Sequence, residues 1–116
     1  MTPYQIQEAQ KTICQQHGVE FVPVADTDIS GFAQSTVGLA PVNGLRHPAQ
    51  NGTSGWYIWC GEEFSTSADF FAPVHTKHLY DDLPQIVPFL ALPPGYRFLV
   101  SEDHVDVWFD QNLLSI

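Results

Sequence analysis

The run Trp56-Tyr57-Ile58-Trp59-Cys60 constrains this chain more than any other five residues in it. Aromatic and β-branched side chains in unbroken succession favour a strand. Alternation leaves that strand no polar face, since Trp56, Ile58 and Cys60 point one way and Tyr57 and Trp59 the other. A strand apolar on both sides belongs inside a sheet whose two faces are covered by the rest of the chain. At 116 residues the sequence has enough material for one such domain, spanning 1–116, and not for two.

The covering elements are legible on either side. Thr2 is a suitable N-cap, Pro3 stands at the first helical position and Gln5 at capping-box spacing, so a helix is expected over about 2–17. Ile6, Ala9, Ile13 and Cys14 give it a narrow apolar stripe, and Gly18 ends it. Val19 to Val24, interrupted by Pro23, reads as an edge or bulged strand. A polar stretch from Asp26 to Ser35 leads to a weak strand at 36–40, and Pro41 to Ser54 reads as a long loop. After Phe70-Phe71 a short helix is expected over 74–83, then a helical turn near 85–90 between Pro84 and Pro88. Beyond Pro93-Pro94-Gly95, Tyr96–Val100 and Val105–Phe109 form a hairpin around Glu102-Asp103. Pairing Val100 with Val105 brings Phe98 opposite Val107 and Tyr96 opposite Phe109, an apolar face on which Phe98, Val100, Val105 and Val107 should be buried. Arg97 then faces Trp108, and Leu99 faces Asp106, on the other side. The fold class that follows is α+β: an antiparallel sheet with a C-terminal hairpin, packed by an N-terminal helix and one or two short helices.

Charge excludes several functions. Thirteen acids against four bases give a net charge of −9, the wrong sign for binding nucleic acid or an anionic membrane. No stretch reaches the roughly 18 apolar residues of a membrane span. The first residues carry Gln5, Gln7, Gln10, Gln15 and Gln16 where a signal peptide needs an apolar core, so a cytoplasmic protein is expected. Cys14 and Cys60 are too few for a disulfide framework and are expected as buried thiols. The acidity is uneven: residues 1–58 carry four acids and two bases, residues 59–116 nine acids and two bases.

Catalytic motifs are lacking. No Gly-x-Ser-x-Gly turn and no phosphate-cradling glycine loop occurs, so neither a catalytic residue nor a cofactor is expected. His75, His78 and Asp82 could share a helix face, but no further ligand stands at a recognisable spacing, so no metal is expected. The pairs Glu62-Glu63, Asp81-Asp82 and Glu102-Asp103 fall in turns and helix ends, where carboxylates can reach a protein partner. Trp108, flanked by Asp106 and Asp110 on a partly wet face, is either covered by Arg97 or open to that partner.

From Gly55 onward the chain resembles the immunity protein 33 domain family of small bacterial proteins. The resemblance rests on Gly55-Trp56-Tyr57-Ile58-Trp59-x-Gly61-Glu62-Glu63 and on Phe70-Phe71-x-Pro73-x-His75 with His78-Leu79. It continues through Pro84, Pro88, Leu90 and Leu92-Pro93-Pro94-Gly95-Tyr96-Arg97-Phe98 to Asp106-Val107-Trp108-Phe109-Asp110 with Leu113-Leu114. It covers about the last sixty residues and leaves the N-terminal helix and the long loop outside. The resemblance implies a cytoplasmic, non-catalytic α+β protein that neutralises a cognate secreted toxin. It brings no set of functional residues with it. The composition fits an inhibitor that covers a basic, nuclease-like surface. The alternative is a non-enzymatic protein- or ligand-binding domain unrelated to toxins, and the third reading is a metal-dependent hydrolase using His75, His78 and Asp82.

Overall fold

In the computed structural model, which describes residues 1–115, six strands form one sheet. They are β1 (Ile29–Phe32), β2 (Val42–Arg46), β3 (Thr53–Cys60), β4 (Ala72–His75), β5 (Tyr96–Val100) and β6 (Val105–Phe109). Two α-helices, α1 (Pro3–Gln16) and α2 (Lys77–Asp82), join three 3-10 segments at Gln34–Thr36, Pro84–Phe89 and Gln111–Leu114. The strand order is β4-β1-β3-β2-β5-β6. Every neighbouring pair is antiparallel except β1 with β3. The α+β class expected from the sequence is the one observed.

The doubly apolar strand lies inside the sheet, between β1 and β2. Trp56, Ile58 and Cys60 are fully enclosed with Phe32, Val42, Phe98 and Val100 beneath a layer formed by α2 and residues 84–92. The buried Trp56 indole N–H donates to the Leu90 carbonyl at 2.9 Å, so its burial leaves no polar group unpaired. On the opposite face Trp59 packs with Ala33, Leu45 and Leu113 and with the rings of Phe70 and Phe71. Tyr57 is only partly covered there. The first helix begins as its sequence dictates, with Thr2 and Gln5 completing a reciprocal capping box. It leans chiefly on the 84–92 segment, where the Gln10 amide donates to the Val87 carbonyl at 3.0 Å.

Five local expectations are corrected. The long loop contains β2, a central strand that pairs with both β3 and β5. Its Pro41, Asn43 and Gly44 read as loop residues for reasons that are tertiary. A Cβ at Gly44 would stand 2.2 Å from Cε2 of Phe98. The Asn43 amide donates to the Gly61 carbonyl at 2.8 Å. The weak strand expected at 36–40 is a 3-10 turn and bends, while the polar stretch before it contains β1. Val19–Val24 forms no strand and joins no ladder, its Val22 carbonyl being taken by Arg46 at 2.7 Å. The helix expected from residue 74 starts at Lys77, because Ala72–His75 pair with β1 as an edge strand.

The C-terminal hairpin has the expected register throughout, from Val100 opposite Val105 to Tyr96 opposite Phe109. Phe98 and Val100 are buried as expected. Val105 is not: it is 54% exposed, and Val107 is only partly covered. The reason is position, since β6 is the outermost strand and the helical layer is centred on the strands inside it.

Candidate partner-binding surface

Register decides which turns are neighbours. Val42 in β2 pairs with Cys60 on one side and Val100 on the other, so these three residues form one row across the sheet. The chain leaves β3 after Cys60 into Glu62-Glu63, and leaves β5 after Val100 into Glu102-Asp103. Both turns therefore hang from the same end of the sheet, two strand spacings or about 10 Å apart. At Gly61 (φ +91°) the backbone turns through a conformation that other residues rarely adopt, with the Leu39 side chain packed where a Cβ would be. Glu62, Glu63, Glu102 and Asp103 are all exposed.

Apolar side chains stand beside the first of these turns. Phe64 is 52% exposed yet anchored edge-on to Trp59, with ring centroids 5.0 Å apart. Leu39, which lines a cleft with Phe64, is 60% exposed, and Val37, two residues before it in the chain, is 48% exposed. Leu39, Glu62, Glu63, Phe64 and Phe70 line that cleft, of about 420 Å³. An apolar cleft rimmed by carboxylates suits a lysine or arginine whose aliphatic stem packs while its charge pairs. Sequence reasoning did not single out Val37, Leu39 or Phe64. Their signal was available, as lone apolar residues in otherwise polar turns, but it carries meaning only once a neighbouring turn is known.

No lysine or arginine on this end offsets the acids, although exposed His104 follows Asp103 in the second turn. The chain has four lysines and arginines in all. Lys11 pairs with Glu8 at 3.8 Å, Arg97 with Asp110 at 3.5 Å, Arg46 is buried, and Lys77 lies on α2. Among the described residues, no other ion pair forms.

The remaining expected site residues lie elsewhere. Asp81 and Asp82 are in α2, within the layer on the far side of the sheet and entered from its opposite end after His75. Asp81 there lines a depression with Ile6, Lys77 and Val87. The six acids therefore make two surfaces, four at one end of the sheet and two in the helical layer. Trp108 is on the face opposite that layer, three residues down β6 from Val105. The Arg97 guanidinium lies 5.3 Å from its ring centroid, yet the indole remains 37% exposed. The Arg97 Nε is buried without a partner.

The chemical alternatives find little support in geometry. His75 and His78 stack with centroids 6.1 Å apart, and His75 lies on β4 rather than in the helix. No group of three or more His, Cys, Asp or Glu among the described residues could hold a metal ion. Cys14 and Cys60 are buried free thiols, and burial pushes both up from the ordinary cysteine value. A second cleft, of about 300 Å³, lies between His47, Tyr57, Phe71 and Pro73 and is lined by no carboxylate, lysine or cysteine. No helix of the described residues is long and apolar enough to cross a membrane.

The Imm33-like domain family matches residues 9–110. The match extends well upstream of the aromatic strand, through most of α1, β1 and β2. Neither a curated protein nor a solved structure matches the chain.

Proposed function

The chain belongs to the Imm33-like domain family, and on that premise we propose that it is a non-catalytic, cytoplasmic immunity protein that binds and masks a cognate bacterial toxin. The observation that carries this reading is the acidic end of the sheet. Four exposed carboxylates stand in two turns at that end without a lysine or arginine beside them, and one of the turns, Glu62-Glu63, lines a cleft with exposed Leu39 and Phe64. Such a surface attracts a basic partner from a distance and offers it apolar contact on arrival. A toxin that acts on a phosphate-bearing substrate needs a basic working surface, and covering that surface silences it. Masking of this kind asks no chemistry of the inhibitor. Glu62, Glu63, Glu102 and Asp103 are the contact residues of the proposal, with Trp108 on the adjoining face. Asp81 and Asp82 are placed outside it.

The test is neutralisation of a candidate toxin domain, to be sought in the gene next to the one that encodes this chain. Co-production should restore growth, and titration in vitro should reach full inhibition at one chain per toxin, with the toxin recovered chemically unchanged. Inhibition at a small fraction of equivalence, or a covalently altered toxin, would instead mark the chain as an enzyme.

A further inference from the structure

The two edges of the sheet are treated differently. At one edge β4 carries Pro73, which cannot donate to an incoming strand. At the other, β6 (Val-Asp-Val-Trp-Phe) has no proline, lysine or bulge. Its ladder to β5 is bounded by Ser101 N–H donating to the His104 carbonyl at 2.8 Å and Asp110 N–H donating to the Gly95 carbonyl at 2.7 Å. Hydrogen-bonded and non-bonded pairs alternate along an antiparallel ladder. Residues 104, 106, 108 and 110 therefore turn their backbone groups toward β5, and Val105, Val107 and Phe109 turn theirs outward. Among the described residues, no strand lies beyond them. Val105 and Phe109 are also 54% and 50% exposed on the face that is apolar elsewhere.

We propose that β6 pairs with β6 of a second copy of this chain, antiparallel about a two-fold axis through Val107, joining two sheets into one. The occupant follows from self-complementarity. In this register each copy's outward amides at 105, 107 and 109 meet the other's outward carbonyls. Val105 covers Phe109 of the second copy, Asp106 stands opposite Trp108, and exposed His104 stands opposite Asp110. Moving the axis to Trp108 would oppose Asp106 to Asp110, and moving it to Asp106 would oppose that residue to itself, so both shifts are penalised by like charge. Each copy carries −9, so added salt strengthens the pairing by screening. A masking complex with a basic toxin responds to salt in the opposite sense, and the dimer does not depend on that reading.

Sedimentation equilibrium of the full chain across concentration, at low and high salt, tests the proposal. The wild type should shift from the monomer mass toward twice that mass, at lower concentration in high salt. Val105→Pro removes an outward N–H at an exposed site, leaves the β5 ladder intact, and should weaken dimerisation at least about tenfold. Val105→Thr keeps the N–H and should dimerise as wild type does, and thermal melting should show both variants folded. A wild type that stays monomeric at every concentration and salt, or a Val105→Pro variant that dimerises normally, would overturn the proposal. So would a monomeric wild type whose toxin binding is lost on Val105→Pro, which would give the edge to the toxin.

Discussion

Arg46 is a buried guanidinium without a carboxylate partner, only 2% exposed. Its Nε donates to the Ser54 carbonyl at 2.9 Å, and one terminal nitrogen donates to the Val22 and Leu92 carbonyls, both at 2.7 Å. Burial brings its pKa down to about 10, partly offset by the charge of Asp28. One side chain thus ties two segments outside the ladders, the residues after α1 and the turn before β5, to the start of β3. Arg46→Met should cost about 2–4 kcal/mol in urea denaturation, because two buried carbonyls and one partly buried carbonyl lose their donor at once. Arg46→Lys should recover only part of that, since a single ammonium cannot reproduce the planar fork. Tyr80 gives a residue-scale test in pH. Burial, reinforced by Asp26 and Asp28, pushes its phenol from 10.0 up to about 12. The neutral form is the one the fold favours, so this contribution is complete below pH 10 and is lost as pH climbs through 12. The difference in denaturation midpoint between wild type and Tyr80→Phe should follow that window, whatever Arg46 does in both proteins.

Among the elements, the hairpin and the aromatic strand were legible in the sequence because their side-chain periodicity is their reason for being there. Phe98, Val100 and Tyr96 keep one face apolar, and a slip of one residue would expose all of them. β2 was illegible for the opposite reason. Its Gly44 is required by the Phe98 ring from a strand more than fifty residues later, and its Asn43 by a carbonyl at Gly61. Neither demand leaves a local trace. β1 was hidden in the same way: Ser30 is buried in a polar stretch because its hydroxyl bonds those of Ser54 and Thr76, at 2.6 and 2.7 Å. The hairpin's own asymmetry predicts a contrast between its strands. Phe98→Ala should cost about 3–5 kcal/mol, as loss of a large buried ring does. Val105→Ala, at a site more than half exposed, should stay within about 0.5 kcal/mol at concentrations where the chain is monomeric. Equal costs for the two would mean that β6 is covered in solution.

For the whole molecule, charge and topology together make the account. The sequence shows that the acids cluster in the second half, but not that Glu62-Glu63 and Glu102-Asp103 share an end of the sheet while Asp81-Asp82 do not. That separation depends on β2 lying between β3 and β5, the very element the sequence concealed. It also turns a diffuse acidic character into a claim about location. The most direct measurement is toxin affinity at two ionic strengths for two variants. One is Glu62→Gln, Glu63→Gln, Glu102→Gln and Asp103→Asn combined; the other is Asp81→Asn with Asp82→Asn. The first should lose at least about a hundredfold in affinity at low salt and most of the wild type's salt dependence. The second should bind within about twofold of wild type under the same conditions, consistent with charges away from the contact. A folded four-site variant that bound the toxin as tightly as wild type at both ionic strengths would contradict the account.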